Sequence, residues 1–319
     1  MHLPSLGQSV AMQRVAYLVG TYGRLAESVL LVGPTGVGKG LIAQLLHQKW
    51  GGTGSFVALT GGALSDSLHH TQLFGHERGA FTDAKSRVRG AFEQAAGGTL
   101  FLDELPHWSK AAQSSLLRPL SDGWFRPVGA EREIAVTCRL VFASTRSLDA
   151  LVDEGILLED LRWRIPRFEI HIPALADRRA DILPLADHFL NRSGRGGELD
   201  RVREFSSEVL RAFLGHGWPG NVRELINEIE VAVVHAAGAG RSRIEVEDLS
   251  PSVAKAEVPV GDLPEESLRG AIRWALQRTA GNGIAAARLL GIHRNTVSRR
   301  RSDRFPTLPR RSGASVAIT

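Results

Sequence analysis

The sequence holds one cysteine, Cys138, which excludes a disulfide framework and a cysteine-built metal site. That residue opens an apolar stretch, residues 138–143, expected to be a strand, so its thiol is read as buried and inert. Long hydrophobic runs are missing as well: nothing approaches the roughly eighteen consecutive apolar residues of a membrane helix. The N-terminus lacks the basic stretch and apolar core of a signal peptide, so a cytoplasmic protein without a membrane partner is expected. No internal repeat occurs. A composition of 43% hydrophobic and 23% charged residues excludes disorder for most of the chain, and 319 residues suffice for two or three domains.

Acidic residues are scarce at the C-terminal end. The formal net charge is +5, but Arg288, Arg294, Arg299, Arg300, Arg301, Arg304, Arg310 and Arg311 face Asp303 alone. Such a cluster is a polyanion-binding signature. A solvated basic tail is the plainer alternative, and charge alone does not separate the two.

The most informative feature present is an anion cradle. Gly33, Pro34, Thr35, Gly36, Val37, Gly38 and Lys39 fit the pattern G-x-x-x-x-G-K and follow an apolar run, residues 28–32, that reads as a buried parallel strand. Glycines let the backbone turn its N–H groups around an anion, Lys39 supplies a cation, and the helix beginning near Gly40 adds its positive end. A nucleoside triphosphate is the expected ligand, the alternative being a Gly-rich turn with none. Residues 97–104 form a second motif, an apolar strand ending in Asp103 and Glu104. Paired carboxylates at that place suit Mg²⁺ handling by Asp103 and polarisation of a water by Glu104, whereas alone they would read as a solvated acidic turn.

Strand-like runs at residues 28–32, 55–59, 99–103 and 138–143 alternate with helical patterns at 39–48, 109–121 and 147–163, which predicts an α/β core with a parallel sheet. Beyond residue 173 only helical patterns continue, at 177–192, 206–214 and 219–237, the last expected to carry Pro219 in its first turn. The expected domains are a core over residues 1–172, an all-helical lid over 173–250, a Pro/Gly-punctuated linker over 251–264, a DNA-binding domain over 265–304 and a disordered tail over 305–319. In the fourth, an amphipathic segment is followed by two short helices, residues 284–290 and 293–301, separated by Gly291 and Ile292. This is a helix-turn-helix pattern, with Arg294, Asn295, Thr296, Ser298 and Arg299 as candidate DNA contacts; a simple helical hairpin is the alternative.

Between the nucleotide motifs stand Gly79, Ala80, Phe81, Thr82, Asp83 and Ala84, and further on Trp218, Pro219, Gly220, Asn221, Val222, Arg223, Glu224 and Leu225. With these the chain resembles the bacterial enhancer-binding proteins, AAA+ ATPases that activate sigma-54 RNA polymerase, over nearly its whole length. The resemblance implies a P-loop AAA+ core, a helical lid and a C-terminal Fis-type helix-turn-helix. It further implies ATP with Mg²⁺, a ring hexamer, and a loop whose Phe81 and Thr82 touch the sigma factor. By the same resemblance Arg223 senses the gamma-phosphate, Thr145 is a polar sensor, and Arg164 is one of two arginine fingers serving a neighbouring subunit.

Several positions depart from the family's pattern. Gly40 has no metal-binding hydroxyl, Thr60 replaces an Asn coupled to the catalytic glutamate, Leu158 takes the place of the first finger, Arg146 replaces Asn or His, and Asp83 replaces the loop's second Gly. Slow hydrolysis or a need for a better-equipped partner subunit is therefore expected. The phosphate loop begins at residue 33, so no regulatory domain is expected before it and control would come from a trans-acting regulator, expression level or subunit mixing. The leading expectation is an activator that binds enhancer DNA and remodels the closed sigma-54 polymerase complex. The alternative is a degenerate relative, acting as a DNA-bound regulator or as one subunit of a mixed ring with a paralogue.

Overall fold

The computed structural model describes residues 7–61, 66–82, 84–165, 168–193, 197–256 and 258–301; Asp83 and the expected tail lie outside them. The chain divides into two compact units, Met1–Arg178 with Gly217–Asn227, and Arg179–His216 with Glu228–Thr319.

The first unit is built on five parallel strands: β1 (Val29–Val32), β2 (Phe56–Thr60), β3 (Thr99–Asp103), β4 (Arg139–Ser144) and β5 (Glu169–His171), in the order β2-β3-β4-β1-β5. Alternation along each strand divides its side chains between two cores. Leu30, Leu100, Leu102, Leu140 and Phe142 meet Leu73, Phe92, Leu116 and Leu161 on one face. Leu31, Phe101, Val141, Ala143 and Ile170 meet Val15, Val19, Ile42 and Leu46 on the other. Because β1 and β4 are covered on both faces, β1 is uniformly apolar and β4 carries an apolar run, Leu140 to Ala143, between Arg139 and Ser144, which made both readable from sequence.

Three local expectations change. Residues 147–163 are not one helix but two, Leu148–Asp153 and Glu159–Arg164, parted by a turn in which Gly155 has φ 68°. The fifth strand was not expected: β5 is three residues long, and only its central Ile170 is buried. Helix Val10–Tyr22, N-capped by the Ser9 side chain, was also unforeseen. Arg139, at the start of the fourth strand, is a charged group buried in this unit, at 2% exposure. Its guanidinium donates to the carbonyls of Tyr22 (2.9 Å), Glu27 (3.0 Å) and Leu46 (3.3 Å), fastening two helix ends to the start of β4. Burial pulls its pKa down to about 10, which leaves it charged at neutral pH.

The second unit is helical apart from a two-residue parallel pairing of Glu204–Phe205 with Arg243–Ile244. Helix Asn221–Gly238, whose first turns belong to the first unit, does not include Pro219: Trp218 and Asn221 are left-handed (φ 47° and 55°), so the helix starts at Asn221, two residues after the proline. The stretch expected as a linker holds a helical turn, Pro251–Ala254, and a 3-10 turn, Val260–Asp262, anchored by buried Val253 and Val260. Helix Glu265–Arg278 buries Leu268, Ile272 and Trp274. Asn282 then caps Gly283–Leu290 by accepting from the N–H groups of Ile284 and Ala285, both at 3.1 Å. Gly291, at φ 65°, ends that helix, and Arg294–Arg301 follows.

Candidate nucleotide site and DNA-binding helix

The phosphate loop leaves β1 and enters helix Lys39–Trp50 through Gly38, whose φ of 105° is open to glycine alone. Lys39 is 8% exposed and donates to the carbonyls of Gly33 (2.7 Å) and Pro34 (3.1 Å). Burial lowers its pKa, while the nearby Asp103 and Glu104 charges oppose that shift. Asp103 ends β3 and accepts the Glu104 N–H at 2.8 Å. Burial raises its carboxyl above the usual range, against the pull of the Glu104 N–H and the Lys39 ammonium. Glu104 itself is left-handed, φ 56° and ψ 50°, a conformation that costs a non-glycine residue about 1 kcal/mol.

Sheet register brings more of the expected residues to this edge. Thr60 lies opposite Asp103, and Thr145 follows Ser144, the partner of Val32. Gly40, the second residue of the helix, places no hydroxyl here. A cavity of about 850 Å³ opens beside the loop between Val15, Leu18, Pro34, Thr145, Ile172 and Ala174. Arg223 is exposed, and its backbone N–H reaches the Gly36 carbonyl at 3.3 Å. The side chain of Arg146 is paired with Glu154 instead of facing the loop.

The Gly-Ala-Phe-Thr segment sits in a hairpin whose base pairs Gly75–His76 with Val88–Arg89. Phe81 is 46% exposed, with its ring 4.8 Å from that of His76, and Thr82 is exposed beside it. Gly79 donates to the Ala84 carbonyl (2.8 Å), and Ala84 to that of Phe81 (2.9 Å), so the tip is a closed turn. A second hairpin, Trp124–Phe125 with Ile134–Ala135, supports it: Glu77 donates to Val128 at 2.9 Å, and Val128 to Gly75 at 3.0 Å.

The profile of the sigma-54 interaction domain matches residues 5–171. The chain belongs to this family. An AAA+ ATPase lid domain matches residues 176–263, and a Fis-family bacterial regulatory domain matches residues 269–303. The transcriptional regulatory protein ZraR of Escherichia coli is 37% identical over 92% of this chain and 67% of its own length. The Nif-specific regulatory protein of Azotobacter vinelandii is 38% identical over 90% of this chain and 56% of its own length. NtrC of Klebsiella pneumoniae is 35% identical over 92% of this chain and 69% of its own length. Among solved structures, NtrX of Brucella abortus, in complexes with ADP and with ATP, is similar at a TM-score of 0.71 and 26% identity, covering 94% of this chain and 68% of that one.

Two further positions of this sigma-54 family AAA+ ATPase lie at the two ends of helix Glu159–Arg164. Arg164 is exposed, donates to the Asp160 carbonyl at 2.9 Å and is hydrogen-bonded to Ser121. Leu158, the N-cap residue, is half-buried against the core, with its N–H held by the Gln113 side chain at 2.8 Å. Trp163, between Arg162 and Arg164, is 69% exposed.

In the Fis-type domain, Val297 is 1% exposed and seats the second helix. Arg294, Asn295, Ser298 and Arg299 occupy the opposite, exposed face, while Thr296 is half-buried and turned away from it. Arg300, counted with the basic cluster in the sequence, is instead bound to Glu265 at 2.9 Å. That bond, with a second to Arg269, holds the Glu265 carboxyl down to about 2. Sequence reasoning missed Asn221, Arg178 and Arg139, which act through backbone carbonyls distant in the chain.

Proposed function

We propose that this protein is a sigma-54-dependent transcriptional activator that binds enhancer DNA and hydrolyses ATP in a ring to remodel the closed polymerase complex. The observation that carries the reading is the meeting of Lys39, Asp103 and Glu104 at one sheet edge, with Arg223 bonded to the same loop. The loop N–H groups and Lys39 take the phosphates, and the cavity beside Val15 and Thr145 takes the base. Among the described residues no three His, Cys, Asp or Glu side chains converge as a metal cage. Mg²⁺ would therefore be held by Asp103 together with phosphate oxygens, supplying charge neutralisation, a fit for a hard cation and a carboxylate.

Glu104 orients the attacking water, Thr145 and Arg223 register the gamma-phosphate, and Arg164 reaches a neighbouring subunit's nucleotide. Thr60, opposite Asp103, stands in for the family's Asn. Gly79, Ala80, Phe81, Thr82, Asp83 and Ala84 present the sigma-54 contact, and Arg294, Asn295, Ser298 and Arg299 contact DNA, in the cytoplasm where both partners reside. Transcription in vitro with purified protein, ATP, sigma-54 holoenzyme and supercoiled template tests this. ATP-dependent open complexes are expected; their absence with ATP hydrolysis intact refutes the remodelling role.

A second reading, a regulatory subunit with weak hydrolysis, is favoured by one observation: Leu158 is half-buried where a finger is expected, and Arg164 is bonded within its own subunit. Adding a paralogous activator should then raise turnover above the sum of the two proteins measured apart.

A further inference from the structure

We infer that Asn221 and Arg178 are positioning residues that hold the phosphate loop in its anion-binding shape by engaging its carbonyls from outside. The inference rests on the nucleotide reading above and concerns residues that touch the loop's backbone, not the phosphates.

Six successive carbonyls of the loop are each engaged by a donor. Gly33 and Pro34 take the Lys39 ammonium (2.7 and 3.1 Å), and Gly38 takes the Ile42 N–H (3.1 Å). The three between them are held by residues far along the chain. Thr35 accepts from Asn221 Nδ2 at 2.9 Å, Gly36 from the N–H groups of Val222 and Arg223 at 3.0 and 3.3 Å, and Val37 from Arg178 Nη2 at 3.0 Å. A trans peptide is planar, so its C=O and the following N–H point in opposite directions. Fixing the carbonyls of Thr35, Gly36 and Val37 outward therefore turns the N–H groups of Gly36, Val37 and Gly38 to the other side, the array an anion requires.

Asn221 is built for this bridge. It is 2% exposed, and both ends of its amide are used: Nδ2 on Thr35, and Oδ1 accepting the Leu175 N–H at 2.7 Å. Its backbone is left-handed at φ 55°, where Asn is tolerated better than most residues. An Asp there could still accept from Leu175 but would turn a carboxylate oxygen on the Thr35 carbonyl. The backbones come equally close, since a Cβ on Gly36 would stand 2.2 Å from the Gly220 carbonyl. Arg178 is 4% exposed and cannot be a surface cation. Since Arg223 follows Asn221 by two residues, the same bonds that shape the loop fix where Arg223 starts.

The test measures ADP and adenosine affinity, with thermal melting, for the full chain and for Asn221→Gly, Asn221→Asp and Arg178→Met. Asn221→Gly keeps the left-handed backbone and removes only the amide. Its ADP affinity should fall about tenfold, the worth of one buried hydrogen bond, with adenosine affinity unchanged. Asn221→Asp should fall further, and Arg178→Met comparably to Asn221→Gly. A merely structural role would weaken ADP and adenosine together, and that parallel loss, or variants that bind ADP like the wild type, overturns the inference. Should Asn221→Gly fail to fold, the ADP-to-adenosine ratio of the other two variants decides. Wild-type protein that binds no ADP sinks the nucleotide reading itself, an outcome separate from equal binding by wild type and variants.

Discussion

Replacing Glu104 by Gly should make the protein more stable while abolishing ATP turnover. Glu104 is held at φ 56° and ψ 50°, which costs a residue with a Cβ about 1 kcal/mol, and it sits beside Asp103, whose carboxyl is raised by burial and further by the Glu104 charge. Glycine removes the steric term and the like charge, but loses about 0.5–1 kcal/mol through greater freedom of the unfolded chain. Relief of the like charge acts in the same direction, so the net expectation is a small gain of about 0.5 kcal/mol, or roughly 1–2 °C in melting temperature. Turnover should fall at least about 100-fold, the usual worth of a positioned proton acceptor, with ATP affinity retained. Glu104→Gln is the control: it keeps the left-handed backbone and should lose turnover with a smaller stability gain. Melting followed by circular dichroism, nucleotide titration and phosphate release measure the three quantities. A Glu104→Gly protein that melts below the wild type, or that still hydrolyses ATP, refutes the reasoning.

Leu158→Arg trades a half-buried apolar contact, about 1 kcal/mol of stability, for a guanidinium at the finger position, and should raise turnover in a concentration-dependent way; rates unchanged at every protein concentration count against it. Asp83→Gly should strengthen sigma-54 binding in a trapped nucleotide state without faster hydrolysis, read by co-migration with the sigma factor and by phosphate release. Asn295→Ala should weaken specific DNA sites by about 1–3 kcal/mol more than random DNA, within binding that falls steeply with salt; equal losses on both DNAs would remove Asn295 from base contact. The Cys138 thiol is pushed up to about 11 by burial, so at pH 8 its thiolate share is about 0.1%, and maleimide labelling should be at least about 100-fold slower than in urea; mass spectrometry after timed quenching measures it.

The sequence reached the residues that meet at this sheet edge because each of their motifs is local. Asp103 and Glu104 stand at the end of an apolar strand and Lys39 seven residues past the end of another, and a run bounded by glycines or charges is a pattern within about ten residues. The helix-turn-helix was readable for the same reason, since Gly291 must be left-handed and Val297 must face inward. β5 escaped because three residues with one buried side chain carry no period. The linker expectation failed because Pro and Gly signal a break in regular structure but say nothing of whether the broken segment packs, as Val253 and Val260 do.

By itself, then, the sequence determined that Lys39, Asp103 and Glu104 belong to motifs that end on one sheet edge, which strands are covered on both faces and where the helix-turn-helix lies, all consequences of neighbours in the chain. Tertiary structure alone decided how the middle of the loop is held and how the start of β4 is fastened. The bonds from Arg139 to Glu27, Arg178 to Val37 and Asn221 to Thr35 span 112, 141 and 186 residues. Each ends on a backbone carbonyl, and every residue type but the donor is free at the acceptor position, so no side-chain pattern marks the partner. Only the fold, by bringing a buried donor within 3.0 Å of a carbonyl that would otherwise lack one, selects it.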